Sequence, residues 1–126
     1  MHLEQFGWSD FFAEQCAGTR GARVAAAHYE QFVVWTEQGE LDAEPSGSLR
    51  YASELWPVVG DWVVLREGAS VIEQVLRRRT TLSRRQPGRG AREQVLAANV
   101  DVLFIVTALG ADYSPRRLER YLVLAR

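Results

Sequence analysis

The spacing of apolar positions changes along this chain, and each change predicts a different kind of element. From Trp8 to Gly18 the pattern is that of a short amphipathic helix. Ser9 is its candidate N-cap, Asp10 complements the first-turn dipole and Gly18 suits the position just past the end. Further on, Arg23-Val24-Ala25-Ala26-Ala27-His28 and Gln31-Phe32-Val33-Val34-Trp35-Thr36 read as two strands joined at Tyr29-Glu30. Glu37-Gln38-Gly39-Glu40 marks a turn, and a third strand is expected from Leu41 to Leu49. Pro45 and Gly47 interrupt it, which predicts a bulge or an edge. A fourth strand follows the Pro57 turn and runs to Leu65, and a fifth covers Ser70 to Leu76.

Five short strands with a turn signal about every ten residues favour a small antiparallel barrel. A five-stranded barrel of the OB type is the economical candidate. An SH3-like barrel fits the same strand count, and periodicity does not separate the two. After Asp101 the alternation stops. Val102-Leu103-Phe104-Ile105-Val106-Thr107 is apolar throughout, as expected of a strand covered on both faces in a parallel sheet. Ser114 and Pro115 then open a helix whose apolar stripe is Leu118, Tyr121, Leu122 and Ala125, opposite Arg116, Arg117, Glu119 and Arg120. The fold class expected is mainly β: a short N-terminal helix, a barrel, then the first β-α unit of an α/β domain cut short. The boundaries are 1–20 for the helical extension, 21–80 for the barrel, 81–100 for a loop or linker and 101–126 for the α/β start.

Charge sharpens the picture. The net charge of −1 over 126 residues conceals a division, because residues 1–76 hold four Arg against twelve acids and residues 77–126 hold eleven Arg against four. Between Arg77 and Arg92 there is no acid at all, yet Arg77, Arg78, Arg79, Arg84, Arg85, Arg89 and Arg92 all fall there. Every cation is Arg and none is Lys. A guanidinium fork suits bidentate phosphate contact and stacking on bases, although GC-rich codon usage accounts for much of the missing Lys. The asymmetry points to an anionic partner for one segment.

Other chemistry is sparse. Cys16 is the single cysteine, which excludes an internal disulfide and a Cys-rich zinc site, and its helical setting reads as a buried small hydrophobe. His2 and His28 have no partner at metal-ligand spacing. Glu40, Asp42 and Glu44 alternate along a predicted strand and form no catalytic pair; they would keep the far side of the barrel off a polyanion. Trp62, between valines, reads as core. Tyr29 at a hairpin tip and Tyr51 beside Arg50 are the candidate base-stacking platforms. No long apolar run and no leader-like N-terminus occur, so a soluble cytoplasmic protein with no membrane partner is expected.

Three stretches together carry a resemblance: Pro57-Val58-Val59-Gly60-Asp61-Trp62-Val63; Arg78-Arg79-Thr80 with Leu82-Ser83-Arg84; and Glu93-Gln94-Val95-Leu96-Ala97-Ala98-Asn99-Val100-Asp101 followed by Phe104-Ile105-Val106-Thr107 and Arg117-Leu118-Glu119-Arg120-Tyr121-Leu122. In this order they resemble the ribosome small-subunit-dependent, circularly permuted GTPases (RsgA/YjeQ-like), over roughly Arg23 to the C-terminus. The resemblance implies an N-terminal OB-fold barrel, a permuted GTPase domain and a zinc-bearing helical domain. It implies late assembly of the 30S ribosomal subunit in the cytoplasm, contact with 16S rRNA, and hydrolysis of GTP with Mg²⁺. This stretch is then expected to be the N-terminal part of a longer enzyme. It has no Gly-rich phosphate loop followed by Lys-Ser or Lys-Thr, and with no Lys it cannot have one, so alone it is expected to be inactive and to hold neither cofactor nor metal. What remains is recognition: rRNA contact through Arg77, Arg78, Arg79, Arg84, Arg85, Arg89 and Arg92, with Tyr29 and Tyr51. Two other readings stand beside it. One is a protein-interaction or self-association role for the unfinished segment after Asp101, and the other is a free-standing nucleic-acid-binding barrel.

Overall fold

The computed structural model of the chain describes residues 2–16, 21–51, 55–85, 93–110 and 114–125. Strands β1 (Ala22–His28), β2 (Gln31–Thr36), β3 (Gly39–Pro45), β4 (Trp62–Leu65) and β5 (Val71–Val75) close into a barrel in the order β1-β2-β3-β5-β4. Neighbours are antiparallel except β3 and β5, which run parallel with Glu44 opposite Val71 and Pro45 opposite Ile72. With helix α2 (Gly47–Tyr51) between the third and fourth strands, this is the OB fold, and the SH3-like alternative falls away.

The expected β1–β2 hairpin forms, with His28 opposite Gln31 and Tyr29 in the left-handed region at φ 55°. Alternate residues turn inward: Phe32 and Val34 from β2 meet Ala22, Val24, Ala43, Val63, Ile72 and Val75, and Leu49 of α2 packs into the same core. The third strand differs from expectation. It stops at Pro45, which has no N–H to continue a ladder. Ser46 is buried and its Oγ accepts the Leu49 N–H at 3.2 Å, so what reads as a bulge is a capped helix start.

The N-terminal segment also departs from a single helix. It forms a 3₁₀ turn, Leu3–Phe6, then a short α1 (Asp10–Ala13) that continues as hydrogen-bonded turns to Cys16. Ser9 sits at the N-cap, but its hydroxyl is buried and makes no cap bond; Gly18 lies outside the described residues. The segment is held by packing. Leu3, Trp8, Phe12 and Cys16 form a second core with Trp62 and Leu76 on the outside of the barrel wall. Trp62 is fully buried, as expected, but between the wall and this segment rather than inside the barrel. Trp8 and Trp62 meet edge to face at 4.9 Å, and a large apolar side chain buried there contributes roughly 1.5–3 kcal/mol.

Where a loop or linker is expected over 81–100, the chain forms an antiparallel ribbon of β6 (Thr81–Arg85) and β7 (Glu93–Ala98), with Arg84 opposite Gln94. The residues between its strands lie outside the description. Two strands alone are marginal in water. The ribbon is tied to the barrel at one end, where the Ala98 N–H reaches Val59 O at 2.9 Å and the Asn99 Nδ2–H reaches Gly60 O at 3.0 Å.

Beyond Asp101 the structure corrects the sequence reading. Residues 102–107 join no ladder, and Val102, Phe104 and Val106 are exposed. A parallel strand is stabilised by neighbours on both edges, and no described residue supplies one. Helix α3 (Pro115–Leu124) does form as expected; Ser114 Oγ accepts the Arg117 N–H at 3.3 Å. Of its stripe, Tyr121, Leu122 and Ala125 are exposed and Leu118 is half-buried.

Candidate nucleic-acid interface

The cationic candidates separate into distinct environments. Arg84 and Arg85 stand exposed on β6, and as adjacent residues of one strand they face opposite sides of the ribbon. Arg84 Nε lies 3.4 Å from Gln94 Oε1 across the ribbon. Arg79 is exposed at the ribbon's base, and its backbone N–H donates to Asn99 Oδ1 at 2.8 Å. Arg77 is exposed but lies over the Phe11 ring at 5.4 Å, tied to the N-terminal segment. Arg89 and Arg92 fall outside the described residues.

Arg78 has a different setting. Its Nε and Nη2 each lie 2.8 Å from an Asp61 carboxylate oxygen, and Nη2 also donates to Trp56 O at 3.0 Å. Asp61 is fully buried and takes a further bond from the Val58 N–H at 2.8 Å. This is a bidentate pair inside the frame, joining the loop before β4 to the chain leaving β5. The pair holds the guanidinium in the frame, because stripping Arg78 away would leave a buried carboxylate unpaired.

Tyr29 and Tyr51 are almost wholly exposed, and the Arg50–Glu30 ion pair brings the end of α2 beside the β1–β2 turn, so the two tyrosines share one end of the barrel. That pairing holds the Arg50 guanidinium above its ordinary pKa. The ribbon is rooted elsewhere, at Arg23 near the start of β1. From there to Tyr29 the strand extends about 20 Å at its usual rise. The structure therefore does not gather the seven described candidates into one patch.

The outer face of β2 and β3 is anionic. Glu40, Asp42 and Glu44 all point outward from β3, and Glu40 also accepts the Trp35 Nε1–H at 3.0 Å. OB barrels commonly receive oligonucleotides on this face and the adjoining loops. Here that surface opposes phosphate, and Arg84 and Arg85 stand exposed on the appended ribbon.

Sequence reasoning missed the residues that build the ribbon's root. Arg23, Gly60 and Asn99 converge there. Arg23 Nε donates to Gly60 O at 3.1 Å, Nη2 to Asn99 O at 2.8 Å and Nη1 to Phe6 O. Burial pulls the Arg23 pKa down, and the nearby Asp101 and Asp61 carboxylates push it back up. Asn99 adopts φ 56° and its Nδ2 donates to Gly60 O at 3.0 Å. Gly60 sits at φ +94°, and a Cβ there would lie 1.9 Å from Ala98 O. The one signal in the sequence was Asn99 itself, a residue that tolerates the left-handed conformation, directly after an apolar run.

Cys16 is buried, and burial raises its thiol pKa, the opposite of what a nucleophile needs. Among the described residues, no three His, Cys, Asp or Glu side chains group as a metal site, and no helix is long and apolar enough to cross a membrane.

The RsgA GTPase family model matches residues 75–126. A relative from Opitutus terrae, named small ribosomal subunit biogenesis GTPase RsgA, is 40% identical over all of this chain and 40% of its own length. The chain belongs to the RsgA family. The RsgA of Leptospira interrogans is 38% identical, across 98% of this chain and 36% of that protein. The crystal structure of YjeQ from Thermotoga maritima superposes at a TM-score of 0.54 and 29% identity, over 84% of this chain and 36% of that one. This chain thus spans about two-fifths of the length of the RsgA relatives it matches. Family membership sets aside the free-standing barrel unrelated to GTPases.

Proposed function

We propose that this chain is the RNA-docking, N-terminal part of a cytoplasmic GTPase of small ribosomal subunit biogenesis, and that it grips 16S rRNA phosphate with the β6–β7 ribbon. The observation that carries the reading is the pairing of an exposed Arg84 and Arg85 ribbon with an anionic β2–β3 face. RNA entering from the β2–β3 side meets three outward carboxylates, whereas RNA entering along the ribbon meets guanidinium groups. Contact of this kind follows backbone shape and charge rather than base identity. Tyr29 and Tyr51, at the other end of the barrel, would be a separate stacking contact.

GTP hydrolysis belongs, on this reading, to the longer protein. With no Lys and no phosphate-cradling loop, these residues do not fit GTP and Mg²⁺, and they carry no step of the reaction. The family's zinc likewise has no ligand set among the described residues.

The test is binding to small ribosomal subunits across a salt series. Neutralising about five phosphates gives a log–log slope near −3.5 to −4.5. Arg84→Ala with Arg85→Ala should make the slope shallower; an unchanged affinity and slope would remove the ribbon from the interface. A second reading, self-association, is favoured by the exposed Val102, Phe104, Val106, Leu109 and Leu122. It expects sedimentation that depends on protein concentration and not on salt.

A further inference from the structure

The ribbon's hold on the barrel is narrow. Of its described side chains only Ala98 is buried, and the adjoining Asn99 is buried beside Gly60 at the junction. Beside that junction an open cavity of about 510 Å³ separates β1 from residues 97–102, with Gln5, Phe6, Trp35 and Val59 among its walls. Among the described residues the ribbon's other apolar side chains are at most half-buried, so the polar bonds at its root carry much of the work of setting its angle.

Three of those bonds pass through one side chain. Arg23 donates to carbonyls of three separate segments: Phe6 in the N-terminal segment, Gly60 before β4 and Asn99 at the end of the ribbon. Its guanidinium also lies over the Trp62 ring at 5.8 Å. A planar fork with five donors can reach three carbonyls in three directions, whereas an ammonium is a single point. The N-terminal side of this junction is equally constrained. Gly7 has φ +100°, and a Cβ there would lie 2.9 Å from Arg23 Nη1. Leu3, Trp8 and Phe12 fix the segment on Trp62, and so fix where Phe6 O can stand.

We infer that the N-terminal segment is a strap which, through Arg23 as a positioning residue, presets the angle of the β6–β7 ribbon so that it meets RNA as a rigid arm. The inference rests on the RNA-docking reading. A preset arm has already lost the freedom that a loose ribbon would lose on binding. The strap therefore contributes affinity without touching RNA.

Two charge-neutral variants of the full chain test this, Arg23→Lys in the junction and Gly7→Ala in the strap, alongside Arg84→Ala/Arg85→Ala. Amide hydrogen exchange over 98–99 reads the ribbon's root, and binding to small ribosomal subunits across salt reads its use. The expected result is faster exchange at 98–99 in both charge-neutral variants. Affinity should fall roughly five- to tenfold at every salt concentration with an unchanged slope, because the same phosphates are neutralised once the ribbon is bound. The double alanine variant should instead flatten the slope and leave exchange alone. Unchanged exchange at 98–99, faster exchange with undiminished affinity, or a loss of affinity no larger than the loss of folded protein would each overturn the strap. If the double alanine variant binds as the parent does, the RNA-docking reading fails and takes the strap's role with it, whatever the exchange shows.

Discussion

The β2–β3 face and the β6–β7 ribbon are both antiparallel β-structure open to solvent, and they carry opposite charge. On β3 the outward positions are Glu40, Asp42 and Glu44; on β6 the exposed positions include Arg84 and Arg85. The barrel face is braced by a closed core, while the ribbon is held at its root. The contrast teaches that an OB barrel can act as a scaffold while an appended element supplies the cationic surface. Fold alone does not locate the interface.

The largest expected effects separate frame from interface. Asp61→Ala leaves the half-buried Arg78 without its partner and should cost about 3–5 kcal/mol, read as a fall in Tm of more than about 10 °C. Arg78→Ala should act the same way, through stability; if it left Tm intact and only weakened RNA binding, Arg78 would return to the interface. Gly60→Ala should cost roughly 1–3 kcal/mol, because the new Cβ meets the Ala98 carbonyl and the backbone at φ +94° disfavours a side chain. The loss should appear as detachment of the ribbon, with exchange rising at 98–99 before the barrel opens.

Arg84→Ala with Arg85→Ala should change stability by less than about 0.5 kcal/mol. Its effect belongs in the salt slope, shallower by about 1.4 to 1.8 for two lost phosphate contacts. Because the two side chains point to opposite sides of the ribbon, single substitutions sharpen the comparison: unequal effects identify the side that faces RNA. The smallest effect is on the anionic face. Glu40→Gln, Asp42→Asn and Glu44→Gln together should raise the association rate a few-fold at low salt, fading once the Debye length falls to about 8 Å. A large gain in affinity at high salt would mean that RNA reaches β2–β3 after all.

Local patterns were legible where partners are neighbours in sequence. The alternation on both sides of Tyr29-Glu30 specified the first hairpin, and Ser114-Pro115 marked the start of α3. The break after Pro45 was visible too, but Ser46 as a cap was not, since Ser-Gly-Ser also reads as a turn. The ribbon escaped because Val95-Leu96-Ala97-Ala98 has no strand alternation. Its pairing depends on residues 81–85 and on the groups at its root.

By itself the sequence determined the number of barrel strands, the family, and the gathering of positive charge after Arg77, because these depend on spacing and composition. Only the tertiary structure decided which of those arginines remain available. Arg77, Arg78 and Arg79 are consecutive and chemically identical, yet one meets a ring, one a buried carboxylate and one solvent. The physical reason is distance: Asp61, Phe11 and Asn99 reach them only after the chain has folded back, and a linear pattern carries no record of that return.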